Sequence, residues 1–288
     1  MFRFDFEDEG AGDSDDSSAA DIDGGQEKTK FKWAEALEVH VDKEHFNTIN
    51  GSINVNTFSC GINRIHHIQP NIKNVQDSDV LEAELRHSDL IPGKYEGGFK
   101  IWECTQDLAN FMIKELSHVF HPGVRVLDLG CGAGILGVLA LVHGCTVHFQ
   151  DYNESVLNSL TIPNVLLNLS KDENDDKIAR CRFFAGDWLS FLELTHRQNI
   201  LYDIILTSET IYNPENYCKL HFVLKQKLKK TGAVYLAAKT CYFGVGGSLR
   251  LFENFVSEEG YFTCTHCWSS KEGVQREIVQ LRFTTNPE

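Results

Sequence analysis

Val126-Leu127-Asp128-Leu129-Gly130-Cys131-Gly132-Ala133-Gly134 joins a short apolar run to three alternate glycines. The apolar run predicts a buried parallel strand, and the glycines predict a tight turn at its carboxyl end. Glycine suits such a turn because a backbone without Cβ adopts positive φ angles and lets a ligand approach its N–H groups. The stretch therefore predicts an open α/β sheet with a cofactor site at the carboxyl ends of its strands.

The glycine turn alone does not choose the cofactor. Gly132-Ala133-Gly134-Ile135-Leu136-Gly137 also matches the G-x-G-x-x-G pattern of dinucleotide-binding enzymes. Asp128 favours S-adenosylmethionine, because a carboxylate just before the first glycine would attract the positive methionine end of that molecule and repel the pyrophosphate of NAD. We therefore predict S-adenosylmethionine as the cofactor and rank an NAD enzyme last.

Two further predicted strands end in residues typical of a nucleoside site. Asp151 follows the strand 146–150, where its carboxylate can accept hydrogen bonds from both ribose hydroxyls. Gly186-Asp187-Trp188 follows the strand 181–185, where Asp187 can accept the adenine amino group and Trp188 can cover the ring. An N-capping aspartate and a core tryptophan would give the same local pattern. Three such features at successive strand ends nevertheless indicate one cofactor site.

Strands alternate with helices through the second half of the chain, the pattern of a parallel sheet covered on both faces. The predicted strands are 125–129, 146–150, 181–185, 202–207 and 233–238. A helix near 249–258 then precedes two alternating segments, 261–268 and 277–283, which predict an antiparallel hairpin. We predict a Rossmann-like, doubly wound α/β sheet of about seven strands that ends in this hairpin. A dinucleotide dehydrogenase would usually need a second parallel half.

The N-terminal part differs in composition from the rest. The first thirty residues contain ten acidic and three basic side chains, and 9–25 is nearly free of apolar residues. Such a segment cannot offset its ordering entropy by burial. We expect a disordered acidic tail over 1–30, a partly ordered extension over 31–88 and the cofactor-binding domain over 89–288.

Charge and cysteine usage narrow the class of protein. A formal net charge of −14 disfavours direct DNA binding and favours basic partners. The chain has no run approaching the ~20 apolar residues of a membrane span, and its acidic N-terminus is unlike a secretory signal. Nine scattered cysteines indicate reduced thiols inside the cell. Cys264-Thr265-His266-Cys267 lacks a second ligand pair, so no metal is predicted.

The segment after the fourth strand carries the candidate catalytic residues. Ser208-Glu209-Thr210-Ile211-Tyr212-Asn213-Pro214 begins at the sheet edge where ligands bind in such folds. Glu209 can orient or deprotonate a nucleophile, and Tyr212 can form one wall of a substrate pocket. A helix N-terminal glutamate and a packed tyrosine are the structural alternatives. Elsewhere, Thr105 is predicted to cap a helix that presents Leu108 and Met112 on one face.

Together these features resemble the class I, seven-strand S-adenosylmethionine-dependent methyltransferases. Within that superfamily, three segments are similar to the family that methylates a histidine of a large-subunit ribosomal protein. These segments are Tyr95-Glu96-Gly97-Gly98 with the following 101–105, the segment 208–214, and 242–247. Related lysine methyltransferases usually have Asp-x-x-Tyr where this chain has Glu209-Thr210-Ile211-Tyr212, which favours the histidine branch.

The candidate cofactor residues come from the sequence motifs and from the family resemblance. The motifs themselves point to Asp128, Gly132, Gly134, Asp151, Asp187 and Trp188. The resemblance implies contacts from Ile101, Trp102, Glu103, Cys104, Thr105, Gly130, Gln150, Asp151, Tyr152, Gly186, Asp187, Trp188 and Ser208.

The resemblance implies an enzyme that transfers a methyl group from S-adenosylmethionine to a ring nitrogen of a histidine. Its substrate would be a basic protein, a large-subunit ribosomal protein. A protein-lysine methyltransferase of the same fold and a non-catalytic cofactor-binding partner of ribosome assembly remain alternatives. We expect a monomer in the cytoplasm and nucleus, including the nucleolus, that binds neither DNA nor membranes.

Overall fold

The computed structural model describes residues 33–50, 54–69, 75, 77–169 and 177–284. Its strands are β1 (Leu37–Val39), β2 (Val55–Cys60), β3 (Asn63–Ile68), β4 (Arg125–Leu129), β5 (Thr146–Asp151), β6 (Cys181–Ala185), β7 (Tyr202–Ser208), β8 (Leu228–Lys239), β9 (Phe262–Ser269) and β10 (Arg276–Phe283). Its α-helices are α1 (Lys43–Asn50), α2 (Ser78–Leu85), α3 (Glu103–Glu115), α4 (Ile135–Val142), α5 (Glu154–Val156), α6 (Ile162–Leu167), α7 (Trp188–Thr195), α8 (Tyr217–Lys227) and α9 (Leu249–Glu259). A π-helical turn, Leu157–Thr161, joins α5 to α6.

Among the described residues, eight strands form one sheet in the order β1-β6-β5-β4-β7-β8-β10-β9. The strands from β6 to β8 are parallel, whereas β1, β10 and β9 pair in antiparallel fashion. The predicted α/β sheet with its C-terminal hairpin is confirmed. The chain leaves β4 toward β5 and later returns to β7 on the other side of β4, so the topological switch point lies between β4 and β7. Ligands bind outside the carboxyl ends of the strands at such a point.

The sheet is buried on both faces because its strands are apolar at consecutive positions. Val126, Phe149 and Phe183 pack into the core on one face. Leu127 and Phe184, their chain neighbours, pack into the core on the other face. The helix α4 approaches the sheet closely at Gly137, where a Cβ would lie 2.2 Å from Cε1 of Phe149. The third glycine of the G-x-G-x-x-G pattern therefore allows close packing of helix on strand.

Three differences from the sequence prediction concern the sheet and the helix beside the pocket. The strand β8 begins at Leu228, five residues before the predicted start at residue 233. The helix α3 begins at Glu103 with Trp102 as its N-cap, so the prediction that Thr105 caps this helix is wrong. The three-residue strand β1, which was too short to predict from its pattern, adds an edge to the sheet by pairing with β6.

The N-terminal extension packs on the sheet and helices that follow it. The hairpin of β2 and β3 is held by two amide side chains near α6. The Ile68 N–H donates to Asn164 Oδ1 at 2.8 Å, and the His66 N–H donates to Asn168 Oδ1 at 2.8 Å. The acidic tail predicted for 1–30 and nearly all of the acidic patch predicted for 171–177 lie outside the described residues.

The C-x-x-C sequence lies on β9, with its two thiols on opposite faces of the sheet. Cys264 packs against the core that contains Phe262, whereas Cys267 packs against the core on the other face. The described residues include no cluster of three or more His, Cys, Asp or Glu side chains suited to a metal ion. The part of the chain that the structure describes also contains no helix of the length and apolarity needed to span a membrane.

Candidate active site

A pocket lies at the carboxyl ends of β4, β5, β6 and β7. This is the position at which ligands bind in open α/β sheets. The residues that line it are Trp33, Glu96, Gly97, Gly98, Lys100, Ile101, Trp102, Thr105, Gly130, Cys131, Gly132, Ala133, Ile135, Asp151, Tyr152, Asp187, Trp188, Ser208, Glu209, Thr210, Tyr212 and Asn216.

The glycine turn after β4 forms the floor of this pocket. Gly132 has a φ of 48°, and a Cβ on it would lie 2.9 Å from the carbonyl oxygen of Gly98. A Cβ on Gly130, whose φ is 66°, would lie 2.6 Å from Cγ2 of Thr210. Gly130 and Gly132 are therefore required, because the Thr210 side chain and the Gly98 carbonyl leave no room for a Cβ at these positions.

Asp151, at the end of β5, joins the glycine turn to the next strand. Its Oδ2 accepts a hydrogen bond from the Gly132 N–H at 2.8 Å, and its Oδ1 accepts one from the Asn153 N–H at 3.2 Å. Burial raises the pKa of this carboxyl to about 6. The lone pairs that remain on its oxygens suit the two hydroxyls of a ribose.

Asp187 and Trp188 form the wall beyond β6. The Asp187 carboxylate caps α7 by accepting the Leu189 N–H at 2.9 Å, and it also accepts Nζ–H of Lys219 at 2.7 Å. The indole Nε1–H of Trp188 donates to Oε1 of Gln150 at 2.9 Å. Asp187 is thus an N-cap and a pocket residue at once, whereas Gln150 holds the indole from behind without lining the pocket.

Trp33 covers the same end of the pocket from the N-terminal extension. Its ring meets Tyr152 edge to face at 6.2 Å, and Nζ of Lys219 lies 3.1 Å from its ring centroid. The backbone beside it is fixed, because the Asp187 N–H donates to the Ala34 carbonyl at 3.0 Å. Sequence reasoning missed Trp33. This residue belongs to the apolar patch 31–37, which has no periodicity that would place it against the sheet.

The segment before α3 forms the opposite wall. The indole Nε1–H of Trp102 donates to the Gly97 carbonyl at 3.2 Å, and the hydroxyls of Thr105 and Ser208 are 2.9 Å apart. Two neighbours predicted as cofactor contacts do not line the pocket. Cys104 is fully buried in the core, and Glu103 lies 3.2 Å from Nζ of Lys239.

Asp128 lies beneath the turn and outside the pocket. Only 1% of the residue is exposed, and its Oδ2 accepts the N–H of Gly137 at 2.8 Å. Burial raises the pKa of this carboxyl to about 8. The structure therefore gives Asp128 a structural role at the start of α4, and the charge attraction inferred from the sequence does not describe its environment.

The pocket brings together ten of the predicted cofactor residues: Ile101, Trp102, Thr105, Gly130, Gly132, Asp151, Tyr152, Asp187, Trp188 and Ser208. Six others support its walls from outside the lining: Glu103, Cys104, Asp128, Gly134, Gln150 and Gly186. The lining residues fit the parts of S-adenosylmethionine. Asp151 would supply a carboxylate for the ribose hydroxyls, the rings of Trp33 and Trp188 would supply an aromatic wall for the adenine ring, and the turn after β4 brings the backbone of Gly130 and Gly132 to the lining.

Glu209 begins the turn after β7 with a left-handed φ of 59°. Its N–H donates to the Ala237 carbonyl at 2.9 Å, and its carboxylate, 2% exposed, lies 3.5 Å from Nζ of Lys239. Burial and the Glu209 charge raise the pKa of the neighbouring Cys104 thiol. Glu209 therefore borders the pocket with a carboxylate that is engaged in a buried ion pair.

Tyr212 and Glu96 meet across the pocket. The Tyr212 hydroxyl donates to Oε2 of Glu96, and the Gly93 N–H donates to Oε1 at 2.5 Å. Burial raises the pKa of the Glu96 carboxyl to about 7. Glu96 was not predicted as a site residue, although it lies in the Tyr95-Glu96-Gly97-Gly98 segment that carried the family resemblance.

The fold and this site define a class of protein. A parallel sheet with a switch point beside β4, a C-terminal antiparallel hairpin and a nucleoside pocket built on a glycine turn are the features of the class I, S-adenosylmethionine-dependent methyltransferases. Residues 92–245 match the family model described as lysine methyltransferase. The chain belongs to this methyltransferase family.

The chain is similar to curated relatives over most of its length, and it shares its fold with a solved structure. The chain is 45% identical to "Histidine protein methyltransferase 1 homolog" of Mus musculus over 224 residues, 71% of this chain and 61% of that protein. It is 44% identical to the Rattus norvegicus protein of the same name over 224 residues, with the same coverage. The chain thus spans about six tenths of the length of these curated relatives. A crystal structure of SMU.776 complexed with SAH superposes with a TM-score of 0.51 and 12% identity, over 79% of this chain and 56% of that one, which shows the fold alone.

Proposed function

We propose that this chain is a protein-histidine N-methyltransferase that uses S-adenosylmethionine. The observation that carries the proposal is the 45% identity to a mouse protein named as a histidine protein methyltransferase. Glu209 in place of the aspartate usual in related lysine methyltransferases supports the same branch.

The residues of the pocket divide the work of binding and reaction. S-adenosylmethionine, when bound, supplies an activated methyl group. Asp151 and the glycine turn hold the nucleoside, while Trp33 and Trp188 exclude water from its aromatic end. Tyr212 forms the wall where the target side chain enters, and Glu209 positions the turn that carries Tyr212. Holding two reactants in line and shielded from water is the main task that remains for such an enzyme.

The chemistry of histidine fits this set of residues. An imidazole, whose pKa in an unstructured peptide is ~6.5, is largely neutral at cellular pH, so it can attack without first losing a proton. A lysine amine, whose pKa in the same setting is ~10.4, would need a base. The histidine enzyme must instead select one ring nitrogen by hydrogen-bonding the other.

We further propose a large-subunit ribosomal protein as the substrate. The family resemblance supports this choice, and a chain with a net charge of −14 suits a basic partner. Such a substrate is met in the cytoplasm or in the nucleus and nucleolus, where we expect the protein to act as a monomer.

A protein-lysine methyltransferase is the second candidate, because the matching family model carries that description. The two candidates share the cofactor pocket and differ in the product. Purified ribosomal proteins from cells that lack the enzyme should be incubated with the full chain and S-adenosylmethionine labelled in the methyl group, then hydrolysed to amino acids. We expect labelled methylhistidine. A second incubation uses a cell extract depleted of ribosomes, from which we expect less label. Labelled methyllysine would favour the second candidate.

A further inference from the structure

We propose that the Glu96 carboxylate binds the N–H of the target histidine ring, orients the other ring nitrogen for attack and accepts the proton after transfer. This inference rests on the proposed function and assigns a catalytic residue within the same pocket.

The loop that carries Glu96 is fixed on several sides. The Glu96 N–H donates to Oδ1 of Asn153 at 3.0 Å, and the Gly93 N–H donates to Glu96 Oε1 at 2.5 Å. The Tyr212 hydroxyl donates to Oε2. An ionised carboxylate has about four lone-pair sites, so both oxygens can accept further hydrogen bonds after these contacts. The carboxylate is thus held in place and still able to accept an N–H from the pocket.

The other carboxylates that line the pocket have different tasks. Asp151 accepts the N–H groups of the glycine turn and of Asn153. Asp187 caps α7 and binds Lys219 at 2.7 Å. Glu209 is 2% exposed beside Lys239.

Glu96 differs from Asp187 and Glu209 in its electrostatic partners. Among the described residues, no Lys, Arg or His nitrogen forms a salt bridge with it within 4.0 Å. A carboxylate with no cation in ion-pair contact is suited to stabilise a cation that forms during the reaction, because this interaction is stronger in the transition state than in the ground state.

The chemical step is balanced by one proton transfer. The unprotonated nitrogen of the target ring attacks the methyl carbon, so that an N–C bond forms while the S–C bond breaks and leaves its electron pair on sulfur. The ring then carries a positive charge that the Glu96 carboxylate stabilises. Its remaining N–H proton passes to Glu96, which gives neutral methylhistidine and a neutral carboxylic acid, and the acid returns the proton to water.

The environment of Glu96 suits a group that changes its protonation state near neutral pH. Burial raises its pKa to about 7, and catalysis by proton transfer is most efficient when the pKa lies near the working pH. The titratable groups around it are Tyr212 after β7, Asp151 at the end of β5, Tyr152 after β5, Lys219 on α8 and Asp187 before α7.

The pH dependence follows from two required deprotonations. Both the target imidazole and Glu96 must be unprotonated before attack, so the rate at low substrate concentration should rise with pH through about 6.5 to 7. On a logarithmic plot, we expect a slope approaching two below these pKa values and a slope of one when Glu96 no longer titrates.

The test compares Glu96→Gln with a matched control, Glu193→Gln, an exposed glutamate on α7. The full-length variants are assayed with ribosomal proteins from cells lacking the enzyme, at low substrate concentration, across pH. Binding of S-adenosylhomocysteine is measured separately by calorimetry. For Glu96→Gln we expect a rate at pH 7.5 lower by about 100-fold, a slope reduced from two to one and an unchanged affinity for S-adenosylhomocysteine. The Glu193→Gln variant should match the unaltered protein.

A second variant tests the same contact if Glu96→Gln does not fold. Tyr212→Phe removes a donor to the Glu96 carboxylate, which raises the pKa of Glu96 and should move the rising part of the profile to higher pH. An unchanged rate and slope in Glu96→Gln, with a histidine product, would overturn this inference alone. A parallel loss of S-adenosylhomocysteine binding would overturn it in favour of a cofactor role. A lysine product in the unaltered enzyme would overturn the proposed function together with the inference.

Discussion

The Asp151 carboxylate accepts the N–H of Gly132 at 2.8 Å, which ties the end of β5 to the glycine turn after β4. Through this contact, one side chain both shapes the floor of the pocket and presents an acceptor to its interior. The Asp128 carboxyl group accepts a similar bond from the Gly137 N–H at 2.8 Å, but it lies below the turn. The two aspartates therefore have separable effects.

Replacing each aspartate by asparagine should distinguish a residue that binds the cofactor from one that only supports the glycine turn. In Asp151→Asn, the amide NH₂ cannot accept the hydrogen bond that one carboxylate oxygen accepts, so we expect affinity for S-adenosylhomocysteine to fall by about 10- to 100-fold. In Asp128→Asn, the amide oxygen can still accept the Gly137 N–H, and affinity should change by less than about threefold. Calorimetric titration measures both. Equal losses in the two variants would place Asp128 in contact with the cofactor.

Asp128 should also make the stability of the ligand-free protein depend on pH. Its pKa is raised to about 8 by burial, above its unfolded value, so the stability it contributes is fully present below the unfolded pKa and is lost as pH rises through about 8. Asparagine does not titrate. Urea unfolding at pH 5.5 and pH 8.5 should therefore show Asp128→Asn gaining more than about 1 kcal/mol relative to the unaltered protein at the higher pH. A pH-independent difference would contradict this environment for Asp128.

Alanine at Gly132 should damage the pocket more than the fold. Its Cβ would lie 2.9 Å from the Gly98 carbonyl at a φ of 48°. Gly123→Ala is the matched control, because Gly123 also has a positive φ of 96° but no atom within 4 Å of the added Cβ. We expect both variants to lose some stability through backbone strain and only Gly132→Ala to lose S-adenosylhomocysteine binding, by at least about tenfold. Retained binding in Gly132→Ala would show that the turn tolerates displacement of the 97–98 loop.

Removal of Lys239 and removal of Glu209 from their ion pair should destabilise the fold by different amounts. Lys239→Met leaves the Glu209 carboxylate buried without its cation, which should destabilise the fold by about 3–5 kcal/mol. Glu209→Gln should cost less, because Lys239 keeps Glu103 at 3.2 Å. The double variant should recover part of the loss of Lys239→Met in urea unfolding. Additive losses would contradict direct coupling of the pair.

The same Glu209→Gln variant separates two roles for this residue. If Glu209 formed the hydrogen bond to the target ring, the turnover of Glu209→Gln would fall as far as that of Glu96→Gln. If Glu209 positions the turn, we expect a smaller loss of turnover, with affinity for S-adenosylhomocysteine unchanged. A larger loss of turnover than in Glu96→Gln would assign the orienting hydrogen bond to Glu209.

The sheet could be predicted from the sequence because its strands are continuous apolar runs that end in Gly, Asp or Ser. Such runs have few other ways to bury their side chains. The nucleoside half of the pocket followed from the same logic, since the carboxyl ends of parallel strands meet at one edge. Asp151 and Trp188 accordingly lie where their positions in the chain predict.

The missed residues depend on contacts between distant segments. Trp33 reaches the pocket because Ala34 bonds to Asp187, and no local pattern indicates that bond. Glu96 reaches it because its loop is held by Asn153. Thr105 was predicted as a site residue but as the N-cap of α3; the N-cap lies three residues earlier, at Trp102, so Thr105 is in the first turn of the helix and its hydroxyl meets Ser208. The strand position of Asp128 was predicted, but its hydrogen bond to Gly137 was not.

The most direct test of the proposed function is to identify the residue that receives the methyl group. The full chain is incubated with labelled S-adenosylmethionine and ribosomal proteins from cells that lack the enzyme, and the labelled peptides are mapped by tandem mass spectrometry, with Asp151→Asn as the control. We expect one modified histidine in a large-subunit ribosomal protein and little label with the control. Label on lysine, or no label from a protein that binds S-adenosylhomocysteine, would contradict the proposed function.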